Sequence, residues 1–370
     1  MKEREPLTYA ESGVDYGAID PFKRAAQAEA RQTDRAAARL GVQGVPWSRG
    51  ESCYLMQLPN RSFLAHVEEG LGTKNLVTDD MYELTGRSFY DHIAQDTVAM
   101  IVNDMVTLGA RPVSVAMHLA VGSNGWFADA RRYQDLIRGW RAACELAGCT
   151  WGGGETPVLK GLVAEGGAVL AGSAVGIAKP GRVIRPDRIR PGDAIVLLAG
   201  SGIHANGLTL ARRVAERAPD GYLTPLSDGR PYGEALLDPT PIYVPAVEAV
   251  QESGANVHYA VNVTGHGWRK LMRVDAPYTY VIDRLPEPQP VFGLMRKVAG
   301  LDNREAYGNL NMGAGFALYV PFPDVDRTLA ALADRGFEAL LAGRIELTDA
   351  KSVVIEPLGL TFKGSSLAIR

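Results

Sequence analysis

Only three cysteines, Cys53, Cys144 and Cys149, occur in 370 residues, and their spacing fits neither a zinc site nor a disulfide framework. They read as buried thiols in a reducing compartment. No apolar run is long enough to cross a bilayer, the longest being the glycine-rich Gly166 to Ala178. The N-terminus, Met1-Lys2-Glu3-Arg4-Glu5-Pro6, lacks the apolar core of a signal peptide. Neither sign of charge dominates, the net being −3, so no general nucleic-acid or membrane-surface role is expected. A Walker loop, a dinucleotide-type glycine fingerprint and a serine-histidine-acid or cysteine-histidine constellation are also missing. These absences leave a cytoplasmic globular chain, and 370 residues at 46% hydrophobic suffice for two domains with substantial cores.

What is there centres on Glu68-Glu69-Gly70-Leu71-Gly72-Thr73-Lys74, which follows the apolar run Phe63–Val67. Glycine lets backbone N–H groups approach phosphate oxygens, lysine supplies a point charge, and carboxylates are hard ligands for Mg²⁺. Taken alone, the stretch also fits an ordinary strand-to-helix turn. A helical pattern follows from Tyr90 to Gly109, with Ser88 and Asp91 spaced as a capping box and Gly109 as C-terminal cap. It carries Asp96, Asn103 and Asp104, whose separations of seven and eight place them on one face. Carboxylates on a largely apolar helix need a cation or donors. A third acid, Glu155, follows three glycines in Trp151-Gly152-Gly153-Gly154-Glu155-Thr156, expected as a loop that backbone can approach closely. Three acidic clusters beside glycine point to a Mg-nucleotide site.

The order Glu69-Gly70-Leu71-Gly72-Thr73-Lys74, then Asp96 to Asn103-Asp104 with Gly109-Ala110-Arg111-Pro112, then Gly153-Gly154-Glu155-Thr156, resembles the aminoimidazole ribonucleotide (AIR) synthetases, or phosphoribosylformylglycinamidine cyclo-ligases. The likeness continues through Gly200–Gly207, Asp238–Val244, Val263–Gly267 and Asn311–Gly315, and reaches back to Tyr9–Asp15. It implies an α+β or α/β fold of two domains, residues 1–180 with a mixed sheet and flanking helices that pairs in a homodimer, and residues 181–370 forming an α/β domain. It also implies a ligase of purine biosynthesis that uses ATP and Mg²⁺ on a small phosphoribosyl substrate, with no nucleic-acid or membrane partner. The resemblance puts the metal on Glu69, Asp96, Asn103 and Glu155, with Asp104 as a further or alternative ligand. Lys74 would meet the triphosphate, and His204 and Asn206 the substrate phosphate or the phosphoryl group in transit. Gly13, Asp15, Gly70, Gly72, Thr73, Gly154, Gly202 and Gly207 would line the nucleotide, residues around Ser12 forming a flap over it.

Along the chain, Asp20 and Pro21 read as the start of a helix that closes before Gly41, and Asp129 to Gly148 as one with Trp140, Cys144 and Ala147 inward. Three prolines and two glycines mark Lys179 to Gly192 as a solvated linker. Beyond it, Ala194–Ala199 reads as a buried strand feeding the glycine turn 200–207, at the N-terminus of a helix where free N–H groups favour an anion. Glu69 stands where the family normally has aspartate, Pro241 where it has arginine and His266 where it has glycine, and the segment after Glu155 is altered. These departures keep open a related ATP-dependent enzyme with another acceptor. His266 reads either as a substrate contact or as a packing change, and His258 as structural.

Overall fold

A computed structural model of the chain describes Leu7 and residues 16–367; the expected flap residues Ser12, Gly13 and Asp15 lie outside them. Two sheets divide the chain. The first, six-stranded, is built from β1 (Gln43–Gly44), β2 (Tyr54–Gln57), β3 (Phe63–Gly70), β4 (Arg111–Val121), β5 (Thr150–Glu155) and β6 (Ala168–Ala178), in the order β1-β2-β3-β6-β4-β5. All its pairs are antiparallel except β4 with β5, so the sheet is mixed, as expected.

Among the described residues four helices belong to this half: α1 (Tyr16–Gln32), α2 (Lys74–Thr85), α3 (Tyr90–Val106) and α4 (Ala130–Ala147). Helix α4 has the expected ends, Asp129 accepting the Arg132 N–H at 3.1 Å and Gly148 left-handed beyond the last turn. Trp140, Cys144 and Ala147 are buried, as their period requires. Helices α3 and α4 cross at Gly139, where any side chain would strike the Asp91 backbone.

Other local expectations fail. Helix α1 starts at Tyr16, with Pro21 inside it, and ends at Gln32; Gly41 caps a separate 3₁₀ turn, Ala38–Leu40. Asp20 does not cap it, because its carboxylate faces His266 Nε2 at 3.6 Å. Ser88 and Asp91 form no capping box: Phe89 is the cap residue, without a side-chain bond, and the Ser88 hydroxyl is buried with no partner among the described residues. Glu68, Glu69 and Gly70 lie in strand and not in a loop, since β3 stays paired to β6 through Gly70↔Ala171. Likewise Trp151 to Glu155 form β5, where Gly152 and Gly154 lie so close on β4 that a Cβ at either would strike it. Between the halves, Val183, Ile184 and Ile189 are buried, so residues 179–192 rest against the body more than a solvated linker would.

The second sheet is seven-stranded, from β7 (Ala194–Ala199), β8 (Tyr259–Asn262), β9 (Tyr278–Ile282), β10 (Ala314–Val320), β11 (Ala339–Leu347), β12 (Ser352–Ile355) and β13 (Leu360–Lys363). Its order is β13-β12-β9-β11-β7-β10-β8, with β12 and β9 its parallel pair. Strand β7 lies inside the sheet between β11 and β10 and is apolar throughout, as a strand covered on both faces must be. Around it lie α5 (Leu208–Arg217), α6 (Tyr232–Leu236), α7 (Val244–Glu252), α8 (Pro290–Ala299), α9 (Asn303–Asn309) and α10 (Val325–Asp334). Helix α3 is shared, its one side on β3 and β6 and its other toward residues 237–243 and β8 of the second half.

Candidate functional site

A cleft of about 390 Å³ opens between the halves, lined by both. Strand β3 brings Glu69 and α3 brings Met100 and Asp104, while β8 and the turn after it bring Asn262, Thr264, Gly265 and His266. Lys270 and Arg273 reach in from the 3₁₀ segment that follows, Lys23 from α1 and Asn206 from the glycine turn. Alternation along β3 sets the direction of Glu69: its register partner Gly172 faces Ile101 and Trp140 on the helix side of the sheet, so Glu69 faces that side and Glu68 the other.

Electrostatics of the cleft follow from burial of charges of both signs. The Glu69 carboxyl is pushed up to about 7, first by burial and then by the Asp104 charge, with Lys270 and Lys23 pulling the other way. Burial lowers the Lys270 ammonium although Asp104 and Glu69 hold it up. Lys270 donates to the Thr264 hydroxyl, and Asp104 accepts from Asn262 Nδ2 at 2.7 Å. Arg273 donates to the Gly50 carbonyl at 2.6 Å and lies 3.3 Å from Glu51. His266 is left-handed at φ 68, a conformation that suits glycine best, and burial lowers its imidazole to about 3.

The structure does not gather the expected site residues at one point. Glu69, Asp104 and Asn206 share the cleft. Lys74, Asp96 and Asn103 are shut from solvent in the seam between the domains. Lys74 Nζ lies 2.7 Å from Asp96 Oδ2, and Asn103 bonds the backbone of Pro241 and Tyr243. Asp104 parts from Asp96 and Asn103 because eight residues at 3.6 per turn leave it about 80° round the helix, where seven leave only about 20°. Glu155 and Gly154 are exposed on edge strand β5, and the register Glu155↔His118↔Ala171 places Glu155 on the sheet face opposite Glu69. Among the described residues no three His, Cys, Asp or Glu side chains form a metal-sized group.

The glycine turn is folded on itself. His204 is buried, its Nε2 accepts the Ser201 N–H at 3.2 Å, and burial followed by the Lys74 charge lowers it to about 3, leaving it neutral. The carbonyl of Gly202 accepts from Asn311, and Gly207 caps α5 against Leu310 and Ile203. Gly70 ends β3, Gly72 is left-handed at φ 74, and Thr73 precedes α2 without a side-chain capping bond. His258 pairs with Asp193 at 2.9 Å, away from the cleft. Sequence reading missed Lys270, Arg273 and Lys23; the first two stand just beyond the Thr264–Gly267 turn, where two cations after a glycine turn were a usable sign.

Comparison with known proteins places this geometry in a family. Residues 50–178 match the family described as AIR synthase related protein, N-terminal domain, and residues 190–356 match AIR synthase related protein, C-terminal domain. The chain is 34% identical over 333 residues to the phosphoribosylformylglycinamidine cyclo-ligase of Methanothermobacter thermautotrophicus, covering 89% of this chain and 92% of that one. To the enzyme of the same name from Pyrococcus furiosus it is 33% identical over 356 residues, 96% of this chain and 99% of the relative. Among solved structures, hydrogenase maturation protein HypE in complex with ATP shares the fold at a TM-score of 0.57 and 20% identity, over 81% of this chain and 84% of that one. With both domain families matched in order and such relatives along nearly its whole length, the chain belongs to the AIR synthase related family.

Proposed function

We propose that the chain is an ATP-dependent cyclo-ligase of purine biosynthesis, which converts formylglycinamidine ribonucleotide to aminoimidazole ribonucleotide with release of ADP and phosphate. One observation carries the reading: Glu69 and Asp104 face Lys23, Lys270 and Arg273 across a cleft between two domains whose relatives bear that name. An amide oxygen leaves poorly. Transfer of the γ-phosphoryl group of ATP to that oxygen releases ADP; attack of the neighbouring nitrogen on the same carbon then closes the ring, breaks the C–O bond and expels phosphate. Such chemistry asks for positioning and charge neutralisation more than for a strong nucleophile.

Mg²⁺ fits Glu69 and Asp104. Two carboxylates in one cleft, with oxygens of Asn206, Asn262 and Thr264 about them, are the hard donors this ion takes, and it completes its shell with water and ligand phosphates. Bound there it would offset charge on the transferring phosphoryl group. Lys23, Lys270 and Arg273 are placed for anionic oxygens, and Asn206 for hydrogen bonds to the same groups. Gly70, Gly72 and Thr73 follow Glu69 directly, and their backbone serves the nucleotide. The uncovered face of the first sheet, where Val113, Val169 and Val175 are exposed, is the surface we give to a homodimer. Free thiols at Cys53, Cys144 and Cys149 agree with work in the cytoplasm.

Purified protein given Mg-ATP and formylglycinamidine ribonucleotide should release ADP and aminoimidazole ribonucleotide together, and Asp104→Asn should release neither at a comparable rate. One observation favours a different acceptor: His266 lines the cleft, at a position where the family resemblance leads one to expect glycine. ADP release without the imidazole product would select that second reading.

A further inference from the structure

Lys74, Asp96 and Asn103 line no part of the cleft, although each stands in a motif beside it. All three are buried completely. The Lys74 ammonium has three protons, and three oxygens surround it: Asp96 Oδ2 at 2.7 Å and the carbonyls of His204 at 3.0 Å and Asp238 at 3.1 Å. The other oxygen of Asp96 accepts from the Thr240 N–H at 2.9 Å and the Thr240 hydroxyl at 2.5 Å. Asn103 donates to the Pro241 carbonyl at 2.8 Å and accepts the Tyr243 N–H at 2.7 Å. Two more side chains of α3 extend the row, His92 to the Leu237 carbonyl at 2.8 Å and Gln95 to that of Thr240 at 3.0 Å. Helix α3 therefore reads the backbone of residues 237–243 along most of its length.

We infer that Lys74 and Asp96 are positioning residues, a buried ion pair that fixes the register of the C-terminal domain on the N-terminal one and thereby sets the cleft between Glu69 and Asn206. A fully desolvated pair is a poor source of net stability, and register is its best-attested use. Its place in the chain gives it leverage. Lys74 opens α2 just past the short turn that follows the strand of Glu69, and the carbonyl it holds on His204 lies two residues before Asn206. A triphosphate could reach this ammonium only by displacing Asp96 and both carbonyls. The inference rests on the cyclo-ligase reading for its turnover assay alone.

The test compares Lys74→Met, Asp96→Asn and Thr240→Val with the wild type in three measurements: Kd for Mg-ATP, kcat and KM for formylglycinamidine ribonucleotide, and amide hydrogen exchange of Thr240 and Tyr243. Lys74→Met should keep Mg-ATP affinity within about threefold, lose about a hundredfold in kcat as the cleft groups shift, and quicken exchange at Thr240. Asp96→Asn keeps an acceptor for the Thr240 N–H while losing the ion pair, so it should lower kcat similarly with a smaller change in exchange. Thr240→Val removes one hydroxyl that touches neither cleft nor nucleotide; it folds most readily, and it should lower kcat with Mg-ATP affinity intact. A tenfold or greater loss of Mg-ATP affinity in Lys74→Met, with exchange at Thr240 unchanged, overturns the inference and puts Lys74 on the triphosphate. Should the wild type make no imidazole product, the cyclo-ligase reading falls, while affinity and exchange still decide the role of Lys74.

Discussion

Asp96 and Asp104 belong to one helix, yet their carboxylates are held under opposite conditions. Asp96 meets an ammonium on one oxygen and an N–H with a hydroxyl on the other, all within the seam. Among the described residues Asp104 meets one amide donor, shares the cleft with a like charge on Glu69 and keeps the Lys270 ammonium at its side. A carboxylate with both oxygens held by donors of its own chain holds parts together; one left with spare capacity beside another of its kind has room for a cation. On the proposed roles, Asp96 serves structure and Asp104 the ligand, so substitutions at the two should part fold from activity.

The largest effect should come from Asp96→Ala. It strands the Lys74 ammonium where no water reaches and leaves the Thr240 N–H without its acceptor. Removing one member of a buried pair costs about 3 to 5 kcal/mol, so the denaturation midpoint should fall sharply whether or not nucleotide is bound. Asp104→Asn belongs at the other pole. Asparagine still accepts from Asn262 and relieves repulsion with Glu69, so the midpoint should hardly move. Turnover should nevertheless fall by about a hundredfold or more, about 2.7 kcal/mol in the barrier, as the proposed cation site loses a charged ligand. Equal damage to fold and turnover at both sites would erase the distinction.

The turn that Lys74 grips adds a pH signature. His204 titrates near 3 in the folded chain, against an ordinary 6.5, because burial and the Lys74 charge disfavour imidazolium. Between those values the unfolded chain takes up a proton that the folded chain refuses, so the contribution is whole above pH 6.5 and is lost as pH falls toward 3. From pH 7 to 5 the wild type should lose about 2 kcal/mol more unfolding free energy than His204→Asn. His266 is lowered in the same direction, which is why the difference between the two curves, and not either alone, is what to read.

Much of the fold was legible because local physics set it. Asp129, Gly148 and the inward Trp140, Cys144 and Ala147 define α4 from either end. Where long-range partners decide, the sequence misled. Pro21 sits inside α1 because Asp20 is drawn to His266 rather than to a cap. Glu68 to Gly70 stay extended because Ser173 to Ala171, about a hundred residues on, pair with them. The site divides in the same way. Glu69 and Asp104 reach the cleft, but the carboxylate of Asp96 and the amide of Asn103, expected beside them, face partners 144, 138 and 140 residues away that no local pattern names. Lys270 was passed over since its value comes from the two acids it neutralises, both in the other domain.

The smallest effect sharpens the comparison most finely, because Glu68 and Glu69 are neighbours of one residue type on one strand. Pairing to Ser173 turns Glu68 to the uncovered face, and pairing to Gly172 turns Glu69 into the cleft. An exposed carboxylate gains little from its charge, so Glu68→Gln should shift stability by no more than about 0.5 kcal/mol and leave turnover in place. Glu69→Gln removes a carboxyl that burial and Asp104 disfavour in its charged form, so it should raise stability near neutral pH yet lose turnover on the scale of Asp104→Asn. Steady-state rates and denaturation midpoints for the two variants read the register of β3 directly. A one-residue slip would exchange their phenotypes, since every side chain on the strand would change face.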